Sequence, residues 1–368
     1  MKKKMLKNVE WTVLICSILL VIIGCVALYS ATIETTSQEF NKQIIWLIIS
    51  IPIVIIVMVI DYEILAKLSP LLYGIILVLL GGVLFTEPIN GASSWYNLGI
   101  FSFQPAEIAK VIVILFLSYV ISTTQQEDKS KISKFRYLFI YFLIIAIPVG
   151  LIVMQPDYGT AIPFVIALLF MLFVGGIKAR YIIVTFLIIA ISVPLLYLYV
   201  LPPHAKARIE TYLNPELDPR GAGYNILQSK LAIGAGQLAG MGVFKGNQTQ
   251  LGYLYPKTTD FIYSVIGEEM GFIVAASIII IYVILITKGV YIAKTAKDLM
   301  GSYIAIGIVG IFMFHMIENI GMTMGLLPIT GVPLPFISYG GTNLLTNFVC
   351  IGLLLSISAR RKKVIFVG

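Results

Sequence analysis

Charge is scarce in this sequence of 368 residues: Asp, Glu, Lys and Arg together make up 12% of it, against about 25% in a typical soluble domain. A surface so poor in charge cannot be kept in water. The same scarcity excludes disorder, a coiled coil, collagen and a nucleic-acid binder. Cysteine is nearly missing too. Cys16, Cys25 and Cys350 lie inside apolar runs with no C-x-x-C spacing and no histidine beside them. That pattern excludes a disulfide framework and a zinc site and leaves small buried hydrophobes. Internal repeats with a period of roughly 20–50 residues are absent, which removes solenoids and propellers.

What is present is apolar: 59% of residues are hydrophobic and the mean hydropathy is +0.96. The chain is therefore expected to be an all-α polytopic membrane protein, since a spanning helix needs roughly 20 mostly apolar residues. Ten such stretches occur, at 11–32, 43–61, 66–85, 105–122, 137–154, 160–177, 181–201, 261–287, 302–324 and 343–358. The first follows Lys2, Lys3, Lys4 and Lys7 and is too long for a signal-peptide core, so it is expected to remain as an anchor. The whole of 1–368 reads as one integral membrane domain.

The net charge of +8 comes from 26 Lys and Arg against 18 Asp and Glu. With the N-terminus in the cytoplasm, 18 of the 26 basic residues fall in the tails and the even-numbered loops, among them Lys129, Lys131, Lys134, Lys288, Arg360 and Arg361. The short odd-numbered loops hold only Lys42. Such asymmetry puts both termini inside and the loop between the seventh and eighth spans outside. That loop, about 202–260, is far longer than ordinary connections and so is expected to be functional. Its glycines and its basic residues, including Arg208, Arg220 and Lys245, suit an anionic partner such as a phosphate; a solvated loop with ordinary turns is the alternative.

Four more pieces converge on the outward face. GASSWYNLGIFSFQPAEIAK contains Trp95 and then a helix opened by Pro105, on which Glu107 and Lys110 share a face. Lys110 lies within a span, where an ionisable group is costly and points to function, unless a salt bridge to Glu107 merely fixes the helix. QPDYGT sets Asp157 in a very short outward loop, where it either caps a helix or serves the site. YPKTTDFIYSVIGEEMG puts Asp260 where the long loop enters the eighth span, either as an N-cap or as a reactive carboxylate. Glu268 and Glu269 cannot both face one cavity, and one is expected to pair internally. GLLPITGVPLPFISYGGTN reads as a re-entrant segment, tolerated at membrane depth only where protein or a water-filled cavity satisfies its backbone. On the preceding span His315 and Glu318 are expected to hydrogen-bond one another, with a metal pair or proton relay as the sharper alternative. Charge and periodicity leave two classes open: an enzyme acting on a lipid-linked anionic substrate, or a transporter that moves one.

Together these motifs resemble the SEDS family (shape, elongation, division and sporulation proteins, the RodA/FtsW/SpoVE group), over about residues 11–358. The C-terminal stretch is the most specific: Asn319, Gly325-Leu326, Pro328, Gly331, Pro333 and Phe336-Ile337-Ser338-Tyr339-Gly340-Gly341-Thr342. QPAEIAK resembles the family's QPSE-x-x-K, QPDYGT its QPD-x-GT, and TDFI…GEE-x-G matches directly. DPRGAGYN…QS…AIGAG resembles DP-x-GxGYQ…QS…AIGSG, and GNQTQLGYLYP looks most like the rod-shape branch. Ala106, Asn225 and Asn343 depart from the usual serine, glutamine and small residue, and Lys257-Thr258 replaces an acid and a histidine. Glu107, Lys110, Asp157 and Asp260 are all retained.

The resemblance implies a peptidoglycan glycosyltransferase of the bacterial plasma membrane that polymerises lipid II on the outer face, with a class B penicillin-binding protein as partner. It implies Asp260 as the general base that takes the proton of an acceptor hydroxyl. Substrate contacts are expected from Trp95, Glu107, Lys110, Asp157, Arg208, Gln228, Thr259, Ser338 and Gly340. Lys110, Arg208 and the amides near Ser338–Gly341 are the expected partners of the pyrophosphate that leaves. A divalent cation, Mg or Mn, could do the same, and no ligand cluster in the sequence decides it. The competing expectation is a lipid II flippase, for which no inverted repeat is visible.

Overall fold

In the computed structural model, residues 7–361 are described except 34–36, 89–91, 98, 100–101, 179, 182, 185–186, 188–193, 196, 200–205, 207–209 and 219–220. The long helices are α1 (Trp11–Thr32), α2 (Gln38–Val59), α3 (Tyr62–Gly82), α4 (Pro105–Glu127), α5 (Phe135–Met154) and α6 (Tyr158–Val174). Then come α7 (Ala222–Ala235), the short α8 (Asn247–Gln250), α9 (Ile262–Thr295), α10 (Leu299–Thr323) and α11 (Gly341–Ala359). A two-residue hairpin precedes α4: β1 (Tyr96–Asn97) pairs antiparallel with β2 (Ser102–Phe103). α1–α5 and α9–α11 are long and apolar enough to cross a membrane, and α6 is a shorter apolar helix. The expected span at 181–201 lies largely outside the described residues. Several helices overrun their hydropathy windows, as α2 does through Gln38–Lys42 and α4 through Thr123–Glu127. Polar residues can prolong a helix once it has left the hydrocarbon.

Local signals set several helix starts. Asp61 accepts from the Glu63 amide at 3.1 Å to open α3, and Asp298 from the Gly301 amide at 2.7 Å to open α10. Pro105 occupies the first turn of α4, where its missing N–H costs nothing. α4, α10 and α11 are mostly buried, whereas α2, α3 and α5 turn most of their apolar side chains outward. The inner helices therefore carry the polar residues that lipid would penalise, and the outer ones supply the lipid-facing coat.

The departure from a simple bundle is α9. At 34 residues it would be about 51 Å long if straight, well beyond a hydrocarbon core of about 30 Å. It is broken at Gly271, with φ +77° and ψ −178°, a conformation essentially confined to glycine. The first part, Ile262–Glu269, is buried throughout, while the second alternates between buried and exposed positions. The freed backbone groups are satisfied by the long loop. Met241 and Gly242 amides donate to the Glu268 and Glu269 carbonyls at 2.9 and 3.0 Å, and the Phe272 and Ile273 amides to Gln237 and Leu238 at 2.8 and 3.2 Å. Far from lying solvated, the loop is a structural partner of α9.

Replacing Gly271 by alanine is expected to be strongly destabilising. A Cβ there would overlap the Gly240 amide and lie 2.7 Å from the Leu238 carbonyl oxygen. Backbone strain alone costs about 1–3 kcal/mol, and the overlap adds to it. The thermal midpoint of the purified variant in detergent should fall sharply; an unchanged midpoint would mean that the break is not held by this contact.

Candidate active site

One end of the bundle gathers the starts of α4, α6, α9 and α11 with the finish of α10. Asp260 stands there, half-buried, two residues before α9. Phe261, not Asp260, takes the N-cap position of α9, so of the two readings of the aspartate the capping one does not hold. Its surroundings are held by main-chain bonds. The Asn319 side-chain amide donates to the Asp260 carbonyl at 3.0 Å and to the Val332 carbonyl at 2.9 Å. Ser338 Oγ donates to the Thr259 carbonyl at 2.7 Å, and the Tyr339 amide to the Thr258 carbonyl at 2.9 Å. Gly331, at φ +75°, presents its Cα to the carboxylate: a Cβ there would sit 3.5 Å from Asp260 Oδ2. The irregular 331–339 segment thus walls the aspartate, with the Phe336 ring tilted against Phe312 and edge-on to Phe348, each at 5.5 Å between centroids.

A second polar group lies inside the bundle. Glu107 and Lys110, 2% and 3% exposed, pair at 2.9 Å. Lys110 Nζ also stands 3.2 Å from His315 Nε2, and His315 Nδ1 stands 2.9 Å from the Pro333 carbonyl. An ammonium has only donors and a carbonyl only accepts. The imidazole that satisfies both is the neutral tautomer with its proton on Nδ1, accepting from Lys110 and donating to Pro333. Glu107 accepts in addition from Asn343 Nδ2 at 2.9 Å, and Asn343 Oδ1 from Asn347 Nδ2 at 2.8 Å. The chain's departure at Asn343 therefore supplies a hydrogen bond to the buried carboxylate.

The remaining expected residues are distributed as follows. Asp157 caps α6 through the Thr160 amide at 3.3 Å and accepts from Gln104 Nε2 at 3.0 Å. Burial pushes its carboxyl up, against the Thr160 hydrogen bonds that pull it down. The Gln104 amide donates to Thr342 Oγ1 at 3.4 Å, and Thr342 Oγ1 to the Ser102 carbonyl at 3.3 Å. These bonds tie the hairpin, and half-exposed Trp95 beside it, to the start of α11. Gln228 is half-buried on α7, next to Ser229, which donates to the Thr323 carbonyl at 2.6 Å. Arg208 lies outside the described residues.

Several expectations need correction. His315 does not bond Glu318; Glu318 accepts instead from Thr330 Oγ1 at 2.8 Å, because Lys110 and Pro333 already take both ring nitrogens. Glu268 and Glu269 both serve the loop: Glu268 accepts from Gln248 and Thr249 amides at 2.7 and 3.0 Å, Glu269 from Gln250 Nε2 at 2.8 Å. Lys110 is sealed inside the bundle rather than open to a ligand. The amides of Ser338, Tyr339 and Gly340 are committed to Leu334 O, Thr258 O and Gln43 Oε1, so they are not a ready anion cradle. Among the described residues no cluster of three or more His, Cys, Asp or Glu side chains could hold a metal ion. Asn319 enters the sequence reading only as a motif residue with no role assigned, and Gln43 does not enter it; the signal for Asn319 was an amide within an apolar span.

Comparison with known proteins places this arrangement. A family model described as cell cycle protein, FtsW/RodA/SpoVE, matches residues 10–363. The peptidoglycan glycosyltransferase MrdB of Escherichia coli K12 is 34% identical over 356 residues, covering 96% of this chain and 95% of the relative. A solved chain from a study of how a peptidoglycan synthase complex coordinates polymerization and crosslinking superposes with a TM-score of 0.84 at 26% identity, over 96% of this chain and 99% of that one. The rod shape determining protein RodA of Thermus thermophilus gives a TM-score of 0.72 at 25% identity, over 96% and 98%.

Proposed function

The chain belongs to the FtsW/RodA/SpoVE family of cell cycle proteins and is a peptidoglycan glycosyltransferase, and from that premise we propose that it polymerises lipid II with Asp260 as general base. In this reading the 4-hydroxyl of an acceptor GlcNAc attacks C1 of the donor MurNAc. The new C1–O bond forms as the bond to undecaprenyl pyrophosphate breaks, with its electron pair leaving on the phosphate oxygen. A neutral hydroxyl is a poor nucleophile, so a carboxylate placed beside it takes the proton as the bond forms. The observation that supports Asp260 in this role is its setting: a half-buried carboxylate whose own carbonyl and those of its two predecessors are all pinned by Asn319, Ser338 and Tyr339. Such prior positioning is what an effective base requires.

Charge on the leaving pyrophosphate needs cations or oriented donors already in place. Lys110 is buried against Glu107 and His315, so its part in this proposal is to fix the wall around Asp260, and Arg208 of the long loop is left to meet the phosphates. Trp95 and Asp157, on the same end of the bundle, border the groove for the sugars, with Gln228 on the loop helix. The basic-residue distribution supports a plasma-membrane protein with this end outward. Its similarity to a chain of a synthase complex supports a crosslinking partner, a class B penicillin-binding protein.

The broken α9 is a device that transporters also use around their substrate sites, and it is the one observation favouring a lipid-moving activity. Purified protein given lipid II in detergent should yield glycan chains resolvable on a gel. Movement of labelled lipid II across liposomes with no chains in the detergent reaction would overturn the polymerase reading.

A further inference from the structure

We propose that Asn319 is a positioning residue for glycosyl transfer: its amide locks the main chain of the general base to the irregular segment that follows α10. The inference rests on Asp260 being that base. Asn319 is fully buried near the end of α10, and its Nδ2 reaches the Asp260 carbonyl at 3.0 Å and the Val332 carbonyl at 2.9 Å. An amide nitrogen has two hydrogens, and these two carbonyls take both. No other side chain of this size offers two donors: aspartate has none when ionised, serine has one and leucine none.

The far side of the same side chain points to purpose. Asn319 Oδ1 is buried and has no hydrogen-bond partner among the described residues. A buried, unpaired acceptor opposes folding, so the contribution of this side chain lies in its two donated bonds. What the amide secures is the distance between two segments. One carries Asp260; the other carries Gly331, whose Cα faces the Asp260 carboxylate. Pro333, in that second segment, receives the hydrogen bond from His315. Releasing the clamp lets the carboxylate and its wall drift apart while leaving the sugar groove in place, so turnover should suffer more than binding.

The test uses the full-length purified protein and lipid II. Asn319→Ala should lower kcat by about 100-fold, the scale of a 1 Å misplacement, with KM nearly unchanged. Gln125→Ala is the control. Gln125 donates to the Gly175 carbonyl at 2.8 Å and bonds Tyr303, remote from the site, and its loss should lower the thermal midpoint but hardly touch kcat. Asn319→Asp adds a pH signature. An ionised carboxylate would face two carbonyls with no donor, whereas the protonated acid restores one arm. The ratio of its kcat to that of the unchanged protein should therefore rise as pH falls. A kcat for Asn319→Ala no lower than that of Gln125→Ala at an equal loss of midpoint overturns the proposal, as does a pH-independent ratio for Asn319→Asp. If Asn319→Ala does not survive purification, the Asn319→Asp series decides alone. Full turnover by Asp260→Asn would instead overturn the assignment of the base.

Discussion

Asp260→Asn is expected to abolish chain polymerisation while leaving the fold intact. The contribution of a positioned general base is about 100- to 10,000-fold in rate, equivalent to about 3–5 kcal/mol of transition-state stabilisation. Asparagine keeps the shape of the side chain and loses its charge, and with it the ability to take a proton. The clamp around the residue survives, because Asn319 holds the Asp260 carbonyl and Ser338 the Thr259 carbonyl, both main-chain atoms. The cap position of α9 belongs to Phe261 and is untouched. The thermal midpoint in detergent and the binding of lipid II should therefore match those of the unchanged protein. Asp260→Glu is a second probe: its extra methylene pushes the carboxylate toward the Gly331 wall, and a displacement of about 1 Å can cost about 100-fold. Polymer formed by Asp260→Asn at an undiminished rate would remove the aspartate from the reaction. A large fall in its midpoint would show that the carboxylate holds the fold instead.

The spans were legible because lipid imposes a simple rule on residues facing it. Where a helix faces lipid for most of its length, as α2, α3 and α5 do, hydropathy alone places it to within a few residues. Three features escaped. The break in α9 depends on Gly271, but a single glycine in an apolar run reads the same whether the helix passes straight through it or turns. What makes it a break is the 237–242 loop donating and accepting there, and that partnership is not local in sequence. Helical spacing alone pairs His315 with Glu318. Its actual partner, Lys110, lies 205 positions away, on a different inner helix. Because glycine-rich turns expose amides, the Ser338–Gly340 stretch reads in sequence as an anion cradle. The structure spends those amides on Leu334, Thr258 and Gln43. The order of the spans, by contrast, puts the Asp260 segment and the segment after α10 at one end of the bundle, where Gly331 and Ser338 stand against residues 259 and 260.

Breaking the Glu107–Lys110 pair should give the largest loss of stability of any single polar substitution in the inner helices. Neither residue can reach water, being 2% and 3% exposed. Removing one partner leaves the other as an uncompensated buried charge, at a cost of about 3–5 kcal/mol. Lys110→Met strands the Glu107 carboxylate with Asn343 alone, and also frees His315 Nε2. Without the ammonium the imidazole loses one of the two bonds that hold its ring, so the wall beside Asp260 loosens as well. Glu107→Gln strands the ammonium against a neutral imidazole. The double substitution Glu107→Gln with Lys110→Met removes both charges, so it should recover most of the lost thermal midpoint, because replacing a whole buried pair by neutral groups is often nearly neutral. Turnover should not recover with it, since His315 still lacks its donor. That split separates the two tasks of Lys110: neutralising Glu107 and holding the His315 ring in place. A double variant as unstable as the sum of the two single losses would mean that the residues act independently. Full recovery of turnover along with stability would mean that the link through His315 to Pro333 does not reach the base.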